Sequence, residues 1–303
     1  MARDWEAVLR EWSHAPGPRE QSTMENTEGQ IRAAIAASRA LSAHEIEVAA
    51  QGSYRNLTHI PRESDVDIRV VCHDIFFPDL SMVDANVREA LRTRLAFGDS
   101  AYSYENFRDD VGAALVARFG PPPNVTPGDK AFGVRETRYL VDADVVAALV
   151  HRRYRADGTF DAGVEFVTRK GLHIINWPEQ QFRNGITKNK ATGERFKAMV
   201  RALKNMRAEM EDQGKAEAKP VPSFLVECLV WNVPNDRFNH TAYYDDMKEV
   251  LRFLYHATTS EATCSEWGEE NELKYLFRPS QPWTREQANA FVLAAWNHVG
   301  ITG

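Results

Sequence analysis

Trp5, Val8, Leu9 and Trp12 recur at helical spacing, and Pro16 and Pro18 break that run. A second helix is expected over 25–41, with Ile31, Ile35 and Leu41 as its apolar positions. Residues 46–52 read as a short strand closing on Gly52, and the polar, Pro61-containing stretch 58–63 as a loop. From Asp65 onward, polar 65, 67 and 69 alternate with apolar 66, 68 and 70, the signature of a half-buried strand. Helices are expected over 87–97 and 104–119. The proline-rich run 121–128 interrupts the pattern, 138–154 is rich in Val and Ala, and strand-like stretches follow at 164–167 and 172–175.

Beyond Pro178 the pattern changes. Residues 192–210 are strongly helical, with Phe196, Met199, Val200, Leu203, Met206 and Met210 on one stripe. Further helices are expected over 223–231, 243–255 and 285–298, with 213–219 as a charged connector. The first half mixes helices and strands and the second is nearly all helix. This predicts two domains, 1–178 and 179–303, with no internal repeat.

Composition narrows the class. At 303 residues the chain holds one large or two closely packed domains. Acidic residues number 43 and basic ones 37, a net charge of −6, which argues against bulk nucleic acid as the main partner. Cys72, Cys228 and Cys264 are too few and too scattered for a disulfide framework. The opening Met-Ala-Arg-Asp-Trp-Glu does not resemble a signal peptide, and the aliphatic run Val145 to Val150 falls far short of the roughly 20 residues of a membrane span. These features predict a cytoplasmic protein with no membrane partner.

The chemistry concentrates in 51–68. Gly52-Ser53 at a strand end lets backbone approach a ligand closely and adds a hydroxyl donor, a corner suited to phosphate. In Asp65-Val-Asp67 the two acids are i and i+2 on a strand, so their carboxylates share a face. Carboxylates held that close repel unless a cation sits between them, and oxygen-only ligands suit Mg²⁺ or Mn²⁺ rather than zinc. Eleven residues separate Ser53 from Asp65, enough for a helical turn and a loop before a neighbouring strand. A phosphate cradle beside a two-carboxylate metal site is what attack on a nucleoside triphosphate requires.

Gly-Ser, this spacer and Asp-x-Asp together resemble the DNA polymerase β-like nucleotidyltransferases. The longer string Gln-Gly-Ser-Tyr-Arg-Asn…Ser-Asp-Val-Asp-Ile is similar to the bacterial relatives of cGAS and DncV, the CD-NTase family of cyclic-oligonucleotide synthases. The resemblance continues through 173–185, 197–204 and 222–227, and no family motif is placed in the last fifty residues. It implies an α/β + α fold: a nucleotidyltransferase lobe with a mixed twisted sheet, a helical lobe, and an active site in the cleft between them.

The family requires a third acid. Asp142 and Asp144 are again i and i+2, and spacing does not choose between them; the resemblance favours Asp144, directly before Val-Val-Ala-Ala. Asp65, Asp67 and Asp144 would then hold two Mg²⁺ ions, with Mn²⁺ as an alternative, and Asp144 is a candidate base. Lys197, Arg201 and Lys204, at i, i+4 and i+7, are expected to form one basic helix face. By resemblance Lys204 and Ser223 grip the donor triphosphate. Gly52, Ser53, Tyr54 and Lys197 complete the expected nucleotide-binding set, and Tyr54 and Phe224 are candidates to stack on a base.

The substrates implied are ribonucleoside triphosphates, joined into a cyclic dinucleotide or trinucleotide with release of pyrophosphate, the product signalling in antiphage defence. The competing readings are transfer to an RNA, protein or small-molecule acceptor, and a catalytically silent nucleotide-binding regulator. Cys72 and His73, as strand neighbours, make a poor chelate. Gly303 would permit regulatory conjugation through the C-terminus.

Overall fold

The computed structural model describes residues 3–62, 65–95, 100–135, 137 and 140–301; Gly303 lies outside them. In chain order the first elements are α1 (Trp5–Trp12), α2 (Pro18–Ala36), β1 (Ile46–Ala50), the single-turn α3 (Gly52–Asn56), β2 (Val66–Asp79), α4 (Ala85–Leu95) and α5 (Tyr104–Phe119). Five strands follow: β3 (Val125–Pro127), β4 (Phe132–Val134), β5 (Ala143–Tyr154), β6 (Phe160–Val167) and β7 (His173–Asn176). The remaining helices are α6 (Pro178–Ala191), α7 (Arg195–Asp212), α8 (Ser223–Trp231), α9 (Tyr243–Thr258), α10 (Glu261–Cys264) and α11 (Arg285–Val299).

The chain divides into two compact units, each with its own core. One comprises 17–54 and 64–178 and holds a seven-stranded sheet in the order β1-β2-β5-β4-β3, with β6 on the far part of β5 and β7 on β6. Only β2 and β5 run parallel, so the sheet is mixed. A parallel pair needs a long crossover, which α4, α5, β3 and β4 supply. Val145 through Val150 are buried on both faces, hence a run of small and branched apolar residues rather than an alternation. Helices α2 and α5 pack on each other and on the sheet.

The other unit comprises 1–16, 55–63 and 179–303. Helix α7 runs through its core, with α1, α8, α9 and α11 against it. The expected division at 178 therefore needs correcting: 1–16 and 55–63 join the helical unit. Leu9 is fully buried in the helical core, with Trp5 and Trp12 packed against it. Arg201 on α7 ties both segments by donating to Ser13 O (2.9 and 2.6 Å) and Leu57 O (2.6 Å).

Two helices begin where proline suggested a break. Pro18 opens α2 and Pro178 opens α6, because a missing N–H costs nothing in the first helical turn. Arg69, expected on the polar side of β2, is 3 % exposed and donates to Glu47 (2.9 Å) and Ala50 O (3.4 Å). Among the described residues no helix is long and apolar enough to cross a membrane.

Candidate active site

The site is built on the start of the parallel pair. In the register of β2 and β5, Asp67 lies directly across from Asp144, and residues abreast on neighbouring strands point to the same face about 4.8 Å apart. On the other side of β5, Gly133 of β4 stands opposite Asp144 and presents no side chain. Asp65 immediately precedes β2, where Val66 N–H donates to Asp142 O at 3.0 Å. Asp65, Asp142 and Asp144 line one pocket of about 190 Å³ together with Arg135.

The Gly52-Ser53 corner is fastened to the same strand. Gln51 N–H donates to Asp67 O at 2.9 Å. Gly52 has φ +63, which favours glycine, and a Cβ there would have to push the Asp67 carboxylate aside. Ser53 follows, half-buried. Asp144 stays open to solvent, yet surrounding protein desolvates its carboxyl; this, with the charge of Asp142, holds it above the usual carboxylate range. Carboxylate oxygens are the donors that a hard divalent cation takes, and Asp65, Asp67 and Asp144 are the candidates at this corner, though their oxygens are not gathered within 4.8 Å of one another.

The basic edge expected on α7 is turned inward. Lys204 is 1 % exposed and its Nζ donates to Glu227 at 2.9 Å. Lys197 is buried too, and burial lowers its pKa against the opposing pull of Glu270 and Glu227. Arg201 is spent on the two carbonyls named above. The face that spacing predicted is real, but its charges are committed inside the helical unit. Ser223 opens α8, half-buried.

Tyr54, expected as a nucleotide contact, is turned into the sheet unit. It is 4 % exposed in the core of the sheet unit, and burial together with Glu28 and Glu25 pushes its phenol up to about 12. Phe224 packs against Trp283, ring centroids 6.1 Å apart.

Cys72 does not chelate with His73 but is drawn to His44 and Asp74, their donor atoms within 4.8 Å. His44 Nδ1 and Asp74 Oδ2 are hydrogen-bonded at 2.7 Å, which ties the entry to β1 to the middle of β2, and burial raises the pKa of the Cys72 thiol. Sequence reasoning missed Arg135, whose only signal was a cation a few residues ahead of the second acidic run. It also missed Glu227, which reads as an ordinary polar position in an apolar helix.

Comparison with known proteins gives this geometry a context. Residues 183–300 match the family described as the cGAS/DncV-like nucleotidyltransferase C-terminal helical domain. The chain is 40 % identical over 301 residues, 99 % of each chain, to the cyclic dipyrimidine nucleotide synthase CdnE of Legionella pneumophila. It is 39 % identical, again over 99 % of each chain, to the cyclic dipyrimidine nucleotide synthase CdnE of Cecembia lonarensis. Among solved structures, the Rhodothermus marinus CdnE c-UMP-AMP synthase with Apcpp and Upnpp superposes with a TM-score of 0.84 at 30 % identity, covering 98 % of each chain. With end-to-end similarity of this degree, the chain belongs to the cGAS/DncV-like nucleotidyltransferases, the CD-NTase family.

Proposed function

We propose that this nucleotidyltransferase joins two ribonucleoside triphosphates into a cyclic dinucleotide, and that the bases it prefers are pyrimidines. The register of Asp67 against Asp144, with Gly52 pressed on Asp67, carries the assignment of the reaction centre. The choice of base rests on the two full-length relatives named as cyclic dipyrimidine synthases.

The family is metal-dependent in general, and Asp65, Asp67 and Asp144 would hold the cation, Mg²⁺ or Mn²⁺ in its place. When bound, it supplies charge neutralisation at the phosphates and favours ionisation of the attacking hydroxyl. The protein's own groups do the rest. Gly52 backbone and the Ser53 hydroxyl hold phosphate oxygens, and Arg135 adds a cation at the pocket wall. A ribose hydroxyl of one nucleotide forms a bond to the α-phosphorus of the other. The bond from that phosphorus to the bridging oxygen breaks, and pyrophosphate leaves. Asp144 takes the hydroxyl proton. A second round closes the ring. The product acts in the cytoplasm as a second messenger, in the antiphage setting that the family resemblance implies.

The test is to incubate the purified protein with Mg²⁺ and labelled UTP, CTP, ATP and GTP, singly and together, with no other acceptor. A phosphatase-resistant cyclic dipyrimidine and pyrophosphate are expected. A cyclic product that contains only purines overturns the base assignment. Turnover only with an added RNA, protein or small-molecule acceptor, or no pyrophosphate from any mixture, overturns the synthase reading itself.

A further inference from the structure

Glu227 lies within the helical unit, 2 % exposed, and collects donors from separate parts of it. Its Oε2 accepts from Thr58 Oγ1 at 2.7 Å and from Lys204 Nζ at 2.9 Å. Its Oε1 accepts from Gln181 Nε2 at 2.9 Å and from Asn56 Nδ2 at 3.3 Å. Gln181 also donates to Glu270 Oε2 at 3.3 Å, and Glu270 is itself 1 % exposed. A buried carboxylate satisfied on both oxygens and neutralised by one ammonium is stable only while every partner stays in place.

The electrostatics agree with that geometry. Burial works to raise the pKa of Glu227, but the charge of Lys204 and hydrogen bonds from Glu270, Thr58 and Lys204 overcome it and hold it to about 2. Glu270 goes the other way, pushed well above the ordinary range by burial and then by the charge of Glu227.

What Glu227 holds is the stretch that follows the phosphate corner. Asn56 is the last residue of the one-turn helix that Gly52 opens, and Thr58 comes two residues later. Leu57 between them has φ +55 in the left-handed region, a conformation that a leucine keeps only where its neighbours are fixed.

We infer that Glu227 is a positioning residue for nucleotidyl transfer: it fixes Asn56 and Thr58, and through the α3 turn the placement of Ser53. This rests on the reading of the Gly52-Ser53 corner as the phosphate contact. The bland alternative is a buried ion pair that only stabilises the helical unit, and the two differ in what they do to substrate affinity.

Glu227→Gln, Thr58→Val and Lys204→Met are compared with wild type for thermal unfolding, for kcat and KM, and for calorimetric binding of a non-hydrolysable triphosphate analogue with Mg²⁺. Glu227→Gln is expected to raise KM about tenfold with kcat within about threefold, and to weaken analogue binding by the same factor. Thr58→Val, which removes one hydrogen bond at nearly constant shape, is expected to raise KM about threefold. Adding Lys204→Met to Glu227→Gln is expected to cost little more, because both act through one network.

Folded Glu227→Gln with KM and analogue affinity within twofold of wild type overturns the inference. Full additivity of Lys204→Met with Glu227→Gln overturns the coupling of the two side chains in one network. Should Glu227→Gln fail to fold, Thr58→Val decides on the same readout. Wild type that binds the analogue without turnover overturns the functional reading, and the binding comparison still decides the role of Glu227.

Discussion

Gly52 meets two demands at once: a left-handed backbone and the absence of a Cβ beside Asp67 Oδ2. Alanine there costs about 1–2 kcal/mol for the backbone alone. It must also displace Asp67, so turnover should fall by about a hundredfold while far-UV circular dichroism remains that of the wild type. Asp67→Asn and Asp144→Asn remove charge without opening a core. Each should reduce pyrophosphate release by on the order of a hundredfold or more, with thermal unfolding at or above the wild-type midpoint. A near-wild-type rate in either variant contradicts the assignment.

Lys188 gives a test that does not involve catalysis. Its ammonium donates to Val233 O (2.7 Å) and Asn235 Oδ1 (2.8 Å) among the rings of Phe196, Trp231 and Phe238. Burial lowers its pKa from 10.5 to about 8. Between those values the native state holds fewer protons than the unfolded chain, so its contribution to stability rises with pH across that window and is lost as pH falls through about 8. Lys188→Met should remove that rise in denaturant titrations between pH 8 and 10; an unchanged slope assigns it to other groups.

At the scale of elements, α1 shows how a short N-terminal helix becomes part of a distant core. Its apolar spacing was legible, because Leu9 and the two tryptophans fall on one face. That this face packs on α7 was not, since nothing local names the partner. Leu9→Ala should destabilise by about 2–5 kcal/mol in denaturant titration, the range for a large-to-small change at a fully buried site. The same gap between local pattern and distant partner explains the elements that were misread. Pro18 and Pro178 punctuate the sequence whether they end an element or begin one, and only the hydrogen bonds of the following turn distinguish the cases. Arg69 obeys the period of two but lies inward, because Glu47 on β1 and the Ala50 carbonyl provide for its guanidinium.

Across the whole molecule, the two cores are complete without the acidic corner. A chelator should therefore abolish turnover and leave thermal unfolding unchanged. Triphosphate analogue at a hundred times its dissociation constant, with Mg²⁺, should add about 2.7 kcal/mol of stability, and chelation should remove that gain. Unfolding on chelation alone would mean that the acids serve the fold.

Sequence by itself determined where the candidate chemistry lies, and its family resemblance gave the class of fold and the reaction. Acids two residues apart on a strand share a face, a glycine at a strand end admits a ligand, and a 3.6-residue stripe buries one side of a helix, all consequences of local geometry. Tertiary structure alone decided that Asp144 stands across from Asp67, that 1–16 and 55–63 belong to the helical unit, and that Lys204 faces Glu227. Those facts depend on which distant residue supplies a strand register, a carbonyl or a counter-charge, and spacing along one chain segment carries no information about its partner.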